Sequence, residues 1–426
     1  MPRPFRSGTG LQPVLAATTV AVVLGGLLVA SVGAAEPAAR AEVRGCDGYV
    51  TGASNRVRID ASGVVTGGLI GAERGACPEQ GGAVTAAIRV DGRSFTRAGE
   101  PFFWLGDTAW SLFVNLTRAE TEEYLEARAV QGFTVIQAVA IFPQAGGPGP
   151  NQYGDSPYGS GLGDLSVTEG ATTDHEEQYD YWDHVDFAVD QAAERGLVMA
   201  ILPVWADTQV GSLVTHDNAA GYGEFLGQRY GSAPNVVWVL GGDAPAGGAE
   251  GVWSALADGI RAGGGNQLMT YHPRGDQTSV TWFEGADRMG FHMFQGGHCL
   301  RYDVRAELVA TTYAAGLPFV DGEPIYEDHP YCWRPEDGFS AAIDVRRDAY
   351  WSVLGGAAGH TYGHHAVWQF LADGRRAQLG ARGDWTDALA FPAAAQMQNL
   401  RALIESRPRV EPADVVADAG SGAERI

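Results

Sequence analysis

Lysine does not occur once in the 426 residues, and all 29 basic positions are arginine. Schiff-base aldolases, pyridoxal enzymes and P-loop phosphate sites each need a lysine amine, so all three are excluded. Cysteine is scarce. The four are Cys46, Cys77, Cys299 and Cys332, with no C-x-x-C pair among them, which disfavours a structural zinc site. No G-x-S-x-G elbow is present, weakening a serine-hydrolase reading. Beyond the N-terminus, no apolar run is long enough to span a bilayer. Positive charge is the other shortage. Against 29 arginines stand 51 acidic residues, a formal net charge of −22, which argues against nucleic acid and anionic membrane as partners.

The first 35 residues read as a signal peptide. Arg3 and Arg6 precede an apolar stretch from about Val14 to Val32, and Gly33-Ala34-Ala35 offer a cleavage site. The expectation is a secreted protein with no stable membrane insertion after cleavage; an uncleaved anchor is the rival. An even cysteine count in an exported chain predicts two disulfides, Cys46–Cys77 and Cys299–Cys332, paired by proximity. Residues 36–87 then form a disulfide-tied N-terminal extension, residues 88–410 the main domain and residues 411–426 a flexible tail.

From residue 88 the chain alternates. Asp91-Gly92 marks a hairpin turn, and Gly99-Glu100-Pro101 leads into the next strand. Eight short apolar runs follow, at 101–110, 133–141, 197–205, 235–243, 268–273, 289–295, 317–323 and 359–368. Continuous apolar runs are what buried parallel strands look like. Amphipathic stretches separate them. The first opens on the capping box Thr117-Arg118-Ala119-Glu120 and closes on Gly132. Strands alternating with helices in this number predict an α/β fold, a (β/α)8 TIM barrel. An open doubly wound sheet would carry a Gly-rich phosphate turn after strand 1, where this chain has Gly-Asp-Thr-Ala-Trp.

In such a barrel the active site lies at the C-terminal ends of the strands. Those ends offer Asp107 and Trp110, then Gln137, then Trp205 and Asp207, then Asp243, then His272, then Gln295 and His298. Strand 7 gives Glu323, Tyr326 and Glu327, and strand 8 gives Tyr362, His364, His365 and Trp368. Trp104, Trp238 and Phe133 lie within strands and are assigned to the core. Carboxylates, amides, imidazoles and aromatic rings are the set that glycosidic-bond hydrolysis uses. One carboxylic acid protonates the leaving oxygen and a second carboxylate attacks carbon or activates water. Asp243 and Glu323 are the favoured pair, with Glu327 the alternative to Glu323. Asp107, Trp110, Gln137, Trp205, His272, Gln295, His298, Tyr326, Tyr362, His364 and Trp368 are candidate substrate-binding residues, and of the adjacent His364 and His365 only one can face the mouth.

Structural alternatives stand beside these. Asp243 could cap the next helix. Glu323 or Glu327 could pair with Arg346 or Arg347, and Asp107 could hold the loop after strand 1. Ten histidines raise a barrel metallohydrolase, but strand 1 lacks His-x-His and a lysine ligand cannot exist, so no metal or cofactor is expected. A non-catalytic carbohydrate-binding or adhesion barrel is the remaining alternative.

The segment PFFWLGDTAWSLFVNLTRAETEEYLEARAVQGFTVIQAVA resembles the opening of the apiosidase-like barrel family. NVVWVLGGD, TYHPRG, FHMFQGGH, PFVDGEPIYE and YWSVLGGAAGHTYGHHAVWQF are similar to further stretches of it. The resemblance covers about residues 88 to 410. It implies a (β/α)8 fold and removal of the branched pentose apiose from plant pectin side chains, as in glycoside hydrolase family 140. It also implies an acid/base at Asp243 and a nucleophile on strand 7, carried to Glu323. An oligosaccharide or polysaccharide is the partner expected. The cysteine-containing extension is foreign to the family pattern, and residues 411–426 are too few for the C-terminal β-sandwich of many members.

Overall fold

The computed structural model describes residues 57–59, 65–67, 83–143, 149–285 and 287–407. The predicted signal peptide, Cys46, Cys77 and the tail fall outside them. Val57–Ile59 and Val65–Gly67 pair antiparallel.

Three strands, Ile88–Asp91, Ser94–Arg97 and Glu100–Phe102, form an antiparallel meander. Asp91 pairs with Ser94, so the first turn is Gly92-Arg93. Gly99 does not start a strand; with Ala98 it forms the second turn, both residues at positive φ. Phe95 meets Phe291 edge-on at 5.2 Å and Trp104 at 6.2 Å. The meander therefore seals the N-terminal end of the barrel with aromatic surface.

The barrel strands are β1 (Trp104–Thr108), β2 (Val135–Val139), β3 (Val198–Leu202), β4 (Val236–Gly241), β5 (Met269–His272), β6 (His292–Gln295), β7 (Phe319–Asp321) and β8 (Gly359–Tyr362). Parallel ladders run β5-β4-β3-β2-β1-β8-β7-β6. Every residue in these strands is buried, because helices cover one face and the barrel interior fills the other. The seam between β5 and β6 is not a ladder. Gly290 N–H donates to the Met269 carbonyl and Thr270 Oγ1 to that of Phe291, both at 2.8 Å. The two-residue strand Gln277–Thr278 adds antiparallel to β6 beside the seam.

The covering helices are α1 (Arg118–Val130), α2 (Tyr181–Glu194), α3 (His216–Tyr230), α4 (Glu250–Ala262), α5 (Val280–Phe283), α6 (Tyr302–Ala314), α7 (Ala342–Leu354) and α8 (Pro392–Glu405). The Thr117–Glu120 capping box forms as expected at the start of α1. Helix α5 is a single turn, so the outer layer is thinnest at the seam. Helices α3 and α4 instead touch backbone to backbone: a Cβ on Gly227 would lie 2.2 Å from the Ile260 carbonyl, and one on Gly259 2.1 Å from that of Ala220.

Candidate active site

Strand β4 delivers Asp243 through an unusual backbone. Gly241, Gly242 and Asp243 have φ of +87°, +118° and +54°. A Cβ on Gly241 would sit 2.5 Å from the His272 carbonyl, and one on Gly242 2.9 Å from the Trp205 ring. Only glycine fits both demands, and aspartate is among the few residues that tolerate the third. Asp243 caps nothing: helix α4 begins seven residues later, at Glu250, with Ala249 as its N-cap. Burial, then the negative charge of Glu323, raises its carboxyl to about 6, against the pull of His272, His298 and a hydrogen bond with Gln295.

Glu323 lies two residues past β7, buried, with both oxygens occupied. Oε1 accepts from the Tyr326 hydroxyl and lies 3.3 Å from His298 Nε2. Oε2 accepts from Gln295 Nε2 at 3.0 Å and lies 3.1 Å from His272 Nε2. Burial would raise this carboxyl, but hydrogen bonds and charge from the two histidines reverse that and hold it well below the usual carboxylate range. The Asp243 amide donates to His272 Nδ1 at 3.4 Å, which leaves Nε2 facing Glu323. One imidazole thus ties the β4 carboxyl's backbone to the β7 carboxylate. Trp110 Nε1–H donates to the Tyr326 oxygen at 2.8 Å, completing a chain from β1 to Glu323.

Glu327 stands apart from this cluster. It accepts from Tyr362 Oη at 2.8 Å and from the Ala393 amide with both oxygens at 3.1 Å, so it caps the N-terminus of α8. Burial is the main reason its carboxyl is raised. Tyr362, expected at substrate, spends its hydroxyl here. Asp107 also faces inward: it is fully buried and accepts from Tyr124 Oη and Arg128 Nε, both at 2.6 Å. Each group is consumed by a partner that its strand-end position did not reveal. Arg346 and Arg347 reach neither glutamate; their partners are Gln396, and Tyr302 with Asp344.

An aromatic wall lines the other side. Trp205 packs 5.2 Å from Trp110 and 5.8 Å from His272, with Phe142 between Trp205 and Trp368 at 6.3 and 6.2 Å. Gln137 donates to the Gly322 carbonyl at 2.8 Å, bracing the residue before Glu323. Of the adjacent histidines, His364 packs on Phe391 at 4.4 Å beneath α8, so it is His365 that joins the site. Its Nδ1 accepts from Trp368 Nε1, and its ring lies 4.2 Å from His329, which stacks on His298 at 4.2 Å. His365 takes the place expected of His364, while His329, Phe142 and Trp333 are site neighbours that the strand ends do not name. The Cys299–Cys332 disulfide forms as expected, and it was the one sequence signal that draws the His329 and Trp333 loop beside His298. Among the described residues, no three His, Cys, Asp or Glu side chains are grouped to hold a metal ion.

Comparison with known proteins bears on the family and the fold. The family described as "Apiosidase-like, catalytic domain" matches residues 90–411. A solved structure described as a glycoside hydrolase is 36% identical, with a TM-score of 0.71, over 76% of this chain and 75% of that one. A glycoside hydrolase family 5 protein from Bacteroides vulgatus is 34% identical with the same TM-score, over 76% of this chain and 73% of its own. The endo-β-1,4-mannanase from Thermotoga petrophila shares only the fold, at 13% identity and a TM-score of 0.50, covering 72% and 77%. No curated protein matches the chain. With that match spanning the whole barrel, the chain belongs to the apiosidase-like catalytic-domain family and is a glycoside hydrolase.

Proposed function

We propose that the protein is an exported, retaining exo-glycosidase that removes a terminal apiose-like pentose from plant cell-wall glycan, with Asp243 as acid/base and Glu323 as nucleophile. One observation carries the reading: the β4 aspartate and the β7 glutamate meet at His272, whose ring accepts from the Asp243 amide and lies 3.1 Å from Glu323, and their surroundings bias the two carboxyls in opposite directions. That split is how one site holds an acid and an ionised partner at the same pH. Glu323 is also a poor proton acceptor, with hydrogen bonds from Gln295 and Tyr326 and two imidazole nitrogens within 3.3 Å of its oxygens. A general base needs proton affinity; a nucleophile needs only to be ionised. The donor set therefore favours attack on carbon over activation of water.

In the first step a Glu323 oxygen bonds to the anomeric carbon as the glycosidic C–O bond breaks, and the Asp243 proton goes to the leaving oxygen. Esterification removes the Glu323 charge, which is one of the causes raising Asp243. Its carboxyl then falls and becomes a base. In the second step Asp243 takes a proton from water, the water oxygen bonds to the anomeric carbon, and the ester C–O bond breaks, giving the sugar with its original anomeric configuration.

The test is hydrolysis of apiose-bearing pectic side-chain oligosaccharides, with the anomer of the first product read by proton NMR. An inverted product removes the nucleophile role from Glu323. A pH profile follows. Asp243 must be protonated in the first step, so kcat/KM falls about tenfold per unit above pH 6. Asp243→Asn loses about 10²- to 10⁴-fold in turnover together with that alkaline limb. An activity rising through pH 8 is incompatible with the assignment.

A further inference from the structure

Trp333 is the one exposed tryptophan among the described residues, at 50%. Its backbone is equally unusual. Cys332 and Trp333 have φ of +50° and +60°, two consecutive non-glycine residues in the left-handed region, where Cβ crowds the following carbonyl. The surroundings enforce this conformation. Cys332 is bonded to Cys299, its amide donates to the His298 carbonyl at 3.1 Å, and the Trp333 amide donates to that of Pro330 at 3.1 Å. The ring stands edge-to-face against His298 at 5.5 Å and His329 at 5.8 Å. His298 Nε2 is in turn 3.3 Å from Glu323. A disulfide and two backbone hydrogen bonds thus hold a strained loop whose product is a solvent-facing indole, one ring away from the reacting carboxylate. Folding alone gains nothing from that exposure.

We propose that Trp333 is the stacking platform for the leaving-group side of the substrate, the sugar ring from which the terminal residue is released. The inference rests on the glycosidase reading above. The interior of the mouth, walled by Trp110, Trp205 and Trp368, takes the terminal sugar over Glu323. The next ring emerges past His298, where the half-exposed indole offers a flat apolar face to sugar C–H groups. The recognised chemistry is a pyranose or furanose with one C–H-rich face, joined through the scissile bond. The rigid loop lowers the entropy lost on stacking.

Two arms test this. In the first, the wild-type protein is treated with N-bromosuccinimide, with and without pectic side-chain, arabinan, xylan and mannan oligosaccharides, and oxidation at Trp333 is followed by peptide mass spectrometry. At least one oligosaccharide should slow it several-fold; no protection by any of them overturns the platform. In the second, Trp333→Ala and Trp333→Phe are compared on the oligosaccharide that is cleaved and on methyl apioside, whose leaving group is too small to reach the indole. The alanine variant should raise KM for the oligosaccharide about tenfold with kcat within twofold, and affect methyl apioside hydrolysis several-fold less; phenylalanine should recover most of the loss. Equal effects on both substrates, or none on either, overturn the proposal. Protection of Trp333 without hydrolysis of any glycan leaves the platform standing and sinks the glycosidase mechanism instead.

Discussion

Glu323→Gln lowers kcat/KM by about 10⁴-fold or more, with a melting temperature close to that of the wild type, whereas Glu327→Ala keeps most activity and unfolds several degrees earlier. The two glutamates are four residues apart on the same strand extension, and the contrast follows from what each carboxylate touches. Glutamine is isosteric at position 323. Its carbonyl can still accept from His272 and Gln295, and the Tyr326 hydroxyl can turn to accept from its amide, so the packing survives. What disappears is the negative charge, and with it the nucleophile proposed above. At position 327 alanine leaves the buried Tyr362 hydroxyl without an acceptor and uncaps helix α8 at Ala393. Each loss is worth about 1–2 kcal/mol, together enough to shift the melting temperature by several degrees. Steady-state kinetics and thermal melts on the two variants decide it. Full activity in Glu323→Gln, or inactivity in a stably folded Glu327→Ala, reverses the assignment.

That pair also marks where the sequence stops being informative. Period and run length give the eight strands, because a strand covered on both faces must be apolar throughout. The strand ends then name groups by proximity to the mouth, and Asp243, His272, Gln295, His298, Glu323 and Tyr326 do converge. The groups that fail, Asp107, Tyr362 and His364, fail for one reason. Each is at a strand end yet is engaged by a residue whose position only the folded chain fixes, Arg128 on α1, Glu327, or Phe391 before α8. His329 and Trp333 lie in a loop without periodicity, so no register aims their side chains. The β5–β6 seam is invisible for a similar reason: one turn of helix and two residues of strand are too short to leave a pattern.

Arg305→Ala carries the largest expected loss of stability, about 3–5 kcal/mol. Arg305 on α6 is buried and its guanidinium donates to Asp321 on β7 and to Asp348 on α7, while Ser352 Oγ and the Gly296 amide also donate to Asp321. Alanine removes the guanidinium that joins the two carboxyls and leaves them buried without it. Even with the arginine present, burial raises Asp348 to about 6 and Asp321 above its ordinary value. A folded-state value above the unfolded one contributes stability that is present at low pH and lost as pH rises through the folded value. The variant should therefore be more destabilised at pH 8 than at pH 5, by urea unfolding at both. Combining Arg305→Met with Asp321→Asn and Asp348→Asn should recover much of the loss, since removing a whole buried ionic group costs far less than orphaning part of it. A loss that is small and equal at both pH values would show that the contact, not the uncompensated charge, sets the cost. Activity reports the same strain from the other side. Asp321 is two residues from Glu323 and its Gly296 contact adjoins Gln295, so a shift there moves Glu323 and one of its donors together. The single variant should lose turnover even where it remains folded, and the triple variant should regain it.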